Sequence, residues 1–255
     1  LLNMTRAMFD KGIENARITK TAALLLMSGV SPSCIDKKIV QSVADSQLDD
    51  GGWLGIGETF WSIAFLRFYS ELKHKIPPAL EWLRQQTDRN GGFGRTKRDM
   101  RRIPVTGQLL FLLPELAEQN HLQWLEHTWL GERNSLTYKA AYTLMAFAIN
   151  QYKPQDKELI QSTTEWLASQ QQSDGGFAPW KDHPVKPDIF CTAIAALGLL
   201  AYGKQSYKKQ ILAAYHFMAN TQLPNGIWAF HEIEDGASWG LYAMTKIEEY
   251  LATDK

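Results

Sequence analysis

The stretch SQLDDGGWLG, residues 46–55, returns in altered form three times: QQTDRNGGFG from Gln85, QQQSDGGFAPW from Gln170 and TQLPNGIWAF from Thr221. Each copy runs from a Gln through a few polar residues to a Gly, any residue, and an aromatic. The first two copies lie about 40 residues apart, and the gap to the third is about twice that. LQWLEHTWLGERNS, from Leu122, keeps aromatics and a Gly and is expected to be a degraded copy in that gap. A repeat of this length marks a recurring supersecondary unit. The glycine pair permits backbone conformations that a side chain would forbid. The Gln can tie loop groups that helix ends leave unpaired, and the aromatic can wedge between neighbouring helices. The motif is therefore read as a structural clamp, not a catalytic site.

The segment before each loop is amphipathic: IDKKIVQSVADSQ from Ile35, PPALEWLRQQ from Pro77, DKELIQSTTEWLASQ from Asp156 and SYKKQILAAYHFMANTQ from Ser206. Apolar residues recur there at three and four, with charges between, as on helices with one wet face. The segments on the far side of the loops are apolar all round: TFWSIAFLRFYSEL from Thr59, VTGQLLFLLPEL from Val105, SLTYKAAYTLMAFAI from Ser135, DIFCTAIAALGLLAY from Asp188 and SWGLYAMTKIEEYL from Ser238. ITKTAALLLMSG from Ile18 adds a sixth buried helix, and LLNMTRAMFDKGIE at the start supplies a sixth outer one, the fifth being expected ahead of the degraded copy. Six outer and six inner helices predict an all-α chain folded as an (α/α)6 barrel, one domain over residues 1–255.

The charge balance, 27 basic against 27 acidic residues, gives no global attraction to nucleic acid. The two cysteines, Cys34 and Cys191, allow one disulfide arithmetically but form no framework and no pair of metal half-sites. A reducing, cytoplasmic setting is expected. No run approaches about 18 apolar residues, so no membrane span is expected. Nine Trp, nine Tyr and eleven Phe suit a packed core, and also a cavity lined by π faces.

The repeats resemble the QW motifs of squalene-hopene and oxidosqualene cyclases and the repeats of protein prenyltransferase β subunits. The copies at Gln47/Gly51/Trp53 and Gln222/Gly226/Trp228 are close; the other two carry Phe in place of Trp. The resemblance covers essentially the whole chain and implies an apolar central cavity that handles isoprenoids. Squalene-hopene cyclases carry a DxDDTA segment at the start of an inner helix, and oxidosqualene cyclases a DCTA segment. Here Asp188, Cys191, Thr192 and Ala193 fit those patterns, but Phe190 stands where the proton donor would be. Protonating an alkene needs a positioned acid in a dry site, and Phe supplies none. Asp188 matches the first Asp, and a helix N-cap is its structural role. Prenyltransferases hold zinc with Asp, Cys and His; Cys191 stands where the His would be, and Ser135 and Thr137 where Asp and Cys would be. No zinc set is assembled, so no metal is expected.

Three groups remain as candidate chemistry. The inner helices are expected to gather their N-termini, with their partial positive charge, at one mouth of the barrel. RTKRDMRR, residues 95–102, joins them there, and its Arg101 and Arg102 are candidates for holding a diphosphate; such a substrate could call for magnesium, and no other cofactor is expected. The same loop would suit an acidic partner or an anionic membrane surface. Carboxylates before inner helices, Glu58 and Asp235, are candidates for the displaced acid, together with Asp188; His231, Glu232 and Glu234 surround Asp235 in an acidic loop, and His183 is ambiguous. Trp61, Tyr138, Phe190 and Trp239 fall near inner-helix starts, where π faces could stabilise a carbocation, with Cys191 beside them. The leading expectation is a terpene cyclase-like isomerase or lyase acting on a polyprenyl or polyprenyl diphosphate substrate. A non-catalytic isoprenoid-binding or partner subunit remains open. So does a carbohydrate-active barrel using Glu58 and Asp235 as a carboxylate pair.

Overall fold

The computed structural model describes residues 1–13, 15–87 and 89–253. Among these residues the chain forms twelve α-helices and no strand. The odd-numbered helices are the amphipathic ones: α1 (Leu2–Asp10), α3 (Lys37–Asp45), α5 (Ile76–Arg84), α7 (Gln119–Glu132), α9 (Leu159–Ser169) and α11 (Lys208–Thr221). In α3, Ile39, Val40, Val43 and Ala44 are buried on one stripe while Lys37, Lys38 and Gln41 face water. The even-numbered helices are α2 (Asn15–Met27), α4 (Ile56–Leu66), α6 (Ile103–Leu112), α8 (Thr137–Ile149), α10 (Ile189–Tyr202) and α12 (Ile233–Thr253). In α10 every residue from Cys191 to Leu199 is buried. A helix apolar all round must be enclosed by other elements, and the outer layer encloses these.

The inner helices close a ring. α2 packs on α4, α4 on α6, α6 on α8, α8 on α10 and α10 on α12, and α12 returns to α2. This is the expected (α/α)6 barrel. Small residues set how closely neighbours approach. A Cβ on Gly198 of α10 would stand 2.7 Å from Ala141 Cα of α8, and Gly107 of α6 faces Tyr142 as tightly. Between α4 and α6 the seam instead holds a pocket of about 320 Å³ bordered by Gly57, Glu58, Val105 and Gln108.

The repeated loop acts as a clamp through specific hydrogen bonds. Gln47 Nε2 donates to the carbonyls of Gly51 (2.7 Å) and Lys75 (2.9 Å), tying its loop to the start of α5. Gln171 Nε2 does the same with Gly175 (2.9 Å) and Gln210 (2.8 Å), reaching the first turn of α11. Gln222 keeps the bond to Gly226. In the second copy a threonine substitutes, with Thr87 Oγ1 donating to Gly92 O at 2.9 Å. Gly51 and Gly175 have φ of +93° and +87°, a region open to glycine. The aromatics Trp53, Phe93, Phe177 and Trp228 are all buried. Trp53 and Trp228 also donate their indole N–H to Val43 O and Met218 O, at the ends of the preceding outer helices.

Two expectations need correction. LQWLEHTWLGE is not a degraded loop: it belongs to the outer helix α7, whose face buries Leu122, Leu125 and Trp129. Only residues 133–136 then turn into α8. The start of α8 is held by the neighbouring loop instead, Thr137 N and Oγ1 each donating at 2.8 Å to Pro179 O and Ala178 O. The last inner helix begins at Ile233 rather than Ser238, so Glu234 and Asp235 lie in its first turn. Cys34 is exposed and Cys191 buried, and both are free thiols.

Candidate functional site

The predicted aromatic and acidic residues converge on the end of the ring where the inner helices begin. The hub is Trp239 of α12, fully buried. Trp61 of α4 meets it edge-on at 5.9 Å, Tyr142 of α8 at 6.1 Å and Tyr242 of α12 at 6.0 Å. Edge-to-face pairs of this kind add about 0.5–1.5 kcal/mol each beyond the area they bury. Around the hub, Lys20 of α2 pairs with Asp235 Oδ1 at 2.5 Å and lies 5.7 Å from the Trp61 ring centroid. Arg17, one turn earlier, pairs with Glu234. These two ion pairs join the first inner helix to the last and close the ring at this end.

Tyr142 is the polar centre of the cluster. Its hydroxyl is buried with no hydrogen-bond partner among the described residues, and so is the indole N–H of Trp239. Burial, and next the negative charge of Asp235, hold the Tyr142 pKa well above its ordinary value. Asp188 N-caps α10, accepting from Cys191 N at 2.7 Å, and its own N–H donates to Phe177 O at 3.1 Å. Burial raises the Asp188 pKa, opposed by the Cys191 and Phe190 amides and the nearby His231. The Cys191 thiol is pushed up strongly, by burial first and by Asp188 second, so it stays protonated and is neither a ready nucleophile nor a ready metal ligand. Phe190 packs between Tyr138 (6.3 Å) and Phe230 (5.7 Å, nearly parallel), in the place where an acid was sought.

The remaining predicted residues lie apart from this hub. Glu58, in the first turn of α4, borders the pocket in the α4–α6 seam and a second of about 370 Å³ with Ala16, Trp53 and Ser62. Asp235 lines neither. Arg95 lines the seam pocket beside Glu58. Arg102 precedes α6 and pairs with Asp99 at 3.4 Å. Arg101 runs alongside Gly92. Asp99 accepts from the Met100 and Arg95 amides as well, and these bonds, led by that to Arg102, lower its pKa. The basic stretch is thus a turn organised around one carboxylate. Among the described residues, no three His, Cys, Asp or Glu side chains are grouped to hold a metal ion.

Sequence reasoning missed Tyr142, Lys20 and Arg17. Tyr142 lies four residues after Tyr138, on the same helix face. Arg17 and Lys20 are two cations three apart at the start of an otherwise apolar inner helix, a pattern that demands partners.

No curated protein matches this sequence. Solved structures do match in fold. The apo type II terpene cyclase MstE from Scytonema shares 15% identity over 92% of this chain and 88% of its own, with a TM-score of 0.75. A variant of MstE in complex with geranylgeranyl dihydroxybenzoate, its substrate, gives 15% identity over the same shares and a TM-score of 0.73. A protein from Actinoplanes gives 14% identity over 94% and 89%, with a TM-score of 0.67. Residues 117–253, more than half of the chain, match the prenyltransferase alpha-alpha toroid domain, and the protein belongs to that family.

Proposed function

We propose that this protein is a terpene cyclase-like enzyme that acts on an isoprenoid within the aromatic-lined ring. The observation that carries the reading is the Trp239 hub: three further aromatic rings from α4, α8 and α12 turn their edges to it, and the hydroxyl of one of them, Tyr142, is buried with no partner among the described residues. Aromatic faces attract a passing cation, and the cluster lies at the positive ends of the inner helices.

Of the three candidate acids, Asp188 suits the role best. Its environment disfavours the carboxylate, which is what a general acid needs near neutral pH. One oxygen can keep the cap to Cys191 while the other carries the proton. Asp235 Oδ1 is instead paired with Lys20 at 2.5 Å. In such a reaction Asp188 protonates a terminal alkene, the cation closes rings through the remaining double bonds, and a proton is lost at the end, so substrate and product are isomers. The carbohydrate reading loses its basis, because the Asp235 carboxylate is committed to Lys20 and lines neither pocket bordered by Glu58. A non-catalytic isoprenoid-binding or partner subunit is the second reading. It is favoured by Phe190, stacked on Phe230 at the donor position.

The test is product formation. Purified protein is incubated with farnesyl and geranylgeranyl diphosphates and squalene, with and without magnesium, and extracts are analysed by gas chromatography–mass spectrometry. A cyclic product that disappears in Asp188→Asn supports the enzyme. Tight binding without product moves the assignment to the second reading.

The loops leading into the inner helices also suit an anionic membrane surface. Leu54 and Met100 are 88% and 75% exposed, and Lys97 and Arg98 are exposed beside Met100. No helix among the described residues is long and apolar enough to cross a membrane. Flotation with phosphatidylserine vesicles that is lost in a Leu54→Glu/Met100→Glu double variant supports this contact; no flotation of the wild type rejects it.

A further inference from the structure

The opposite end of the ring, where the inner helices finish, holds the feature that the candidate site does not use. A pit of about 450 Å³ is sunk into it, floored by Phe111 of α6, Met145 of α8, Leu197 and Leu200 of α10 and Tyr242 of α12. A neighbouring pocket of about 310 Å³ shares Phe111, Ile149 and Tyr242 with it and extends to Met27 of α2 and Ala64 of α4. Between them these two neighbouring pockets draw residues from all six inner helices. The pit's size falls within the range of small-molecule sites, and its floor is apolar and aromatic as such sites are. Tyr242 is common to this pit and to the Trp239 hub, lying 6.0 Å from Trp239. One ring thus separates the pit from the aromatic centre.

The charges at the rim say what kind of head group belongs there. Lys246 meets both oxygens of Glu249, at 3.0 and 2.8 Å, and lies 5.6 Å over the Tyr242 ring, so its charge is already answered. Lys204 is exposed on the rim, and its carbonyl accepts from Tyr250 Oη at 2.9 Å. The helix C-termini gathered here carry partial negative charge. Arg67, in the neighbouring pocket, is paired with Glu115 and donates to Leu112 O, so an anionic head group would face carbonyl dipoles and Glu249 with Lys204 to offset them. A hydroxyl would find donors and acceptors without that opposition.

We infer that this pit is a binding site for a long apolar chain with an uncharged head group, such as an isoprenoid alcohol, admitted from the end of the barrel opposite the acid. The isoprenoid identity of the chain rests on the proposed function; the apolar, uncharged character rests on the pit alone. Ala148 and Ala201 line the wall and are only partly buried, so a larger residue at either fills the pit without entering the packed core.

The experiment is calorimetric titration with farnesol, farnesyl diphosphate and 1-dodecanol on wild type, Ala148→Trp, Ala201→Trp and, on the exposed face of the outer helix α11, Lys209→Trp. Circular dichroism melting curves check that each variant is folded. The expected result is that farnesol binds more tightly than its diphosphate. Both pit-filling variants weaken farnesol at least about tenfold, a difference of about 1.4 kcal/mol, and Lys209→Trp changes it less than about twofold. Farnesol binding that survives both pit variants overturns the pit while leaving the isoprenoid reading in place. Binding of dodecanol but not farnesol, lost in the pit variants, keeps the pit and overturns the isoprenoid reading. No binding of any of the three probes overturns both.

Discussion

Thr192 offers a sharp test of how the repeated loops hold the barrel. Its hydroxyl accepts the Phe177 amide N–H at 2.9 Å, and both residues are fully buried. Thr59 and Thr106 make the same contact to Trp53 and Phe93, at 2.9 and 2.8 Å. In each case a threonine in the first turns of an inner helix fastens the aromatic of the loop before it. Thr192→Val keeps the side-chain shape and removes the acceptor. The Phe177 N–H is then buried without a partner, at a cost of about 1–3 kcal/mol. For a chain of this size each kcal/mol lowers the melting temperature by about 2–4 °C. Thr143 is the control. It is equally buried, but its hydroxyl only donates to Lys139 O within its own helix, so Thr143→Val strands no donor and is expected to cost less than about 0.5 kcal/mol. Urea unfolding with unchanged slope would measure both. A Thr192→Val variant within about 0.5 kcal/mol of wild type, or a Thr143→Val variant as damaged as Thr192→Val, would refute the clamp.

Further expectations concern single sites. Tyr142→Phe removes a buried hydroxyl that has no partner among the described residues, so thermal stability is expected to hold or rise slightly; a drop of several degrees by differential scanning fluorimetry would mean that the hydroxyl is bonded in solution. Gly175→Ala places a Cβ 2.4 Å from Ala213 O at a φ of +87° and is expected to cost more than about 1 kcal/mol, read as a lower urea midpoint; an unchanged midpoint would contradict the turn geometry. His121 is buried with its Nδ1 3.0 Å from Leu116 O, and burial lowers its pKa below 6.5. The unfolded chain therefore takes up this proton first, and stability falls as pH drops from 6.5 toward the folded-state value. In His121→Gln that part of the pH dependence should vanish, and unfolding free energies measured between neutral and mildly acidic pH would show it; an undiminished slope would contradict the assignment.

The alternation of amphipathic and wholly apolar segments was legible because it reflects burial, which composition records directly. The Gln and Gly positions were legible because their jobs are local: Gln47 and Gln171 each bond a carbonyl four residues ahead. The threonine clamps were not, because the hydroxyl comes 6, 13 or 15 residues after the amide that it serves, so no fixed spacing announces them. The early start of α12 was hidden for a related reason. His231, Glu232, Glu234 and Asp235 look like a polar loop, yet Glu234 and Asp235 are drawn into the helix by Arg17 and Lys20 at the far end of the chain, and acidic residues suit a helix N-terminus. Asp188 was placed correctly as a cap because the cap is local. Its partial burial, which gives it chemical interest, comes from packing that no local spacing announces.

The central claim is that an isoprenoid chain is accommodated inside the inner ring, against the aromatic residues on its axis. A crystal structure of the protein grown with saturating geranylgeraniol measures this most directly. The account predicts electron density for the chain within the ring, in contact with Tyr242 or the Trp239 hub. Density confined to the outer helices, or an empty ring at a concentration where calorimetry shows binding, would contradict it.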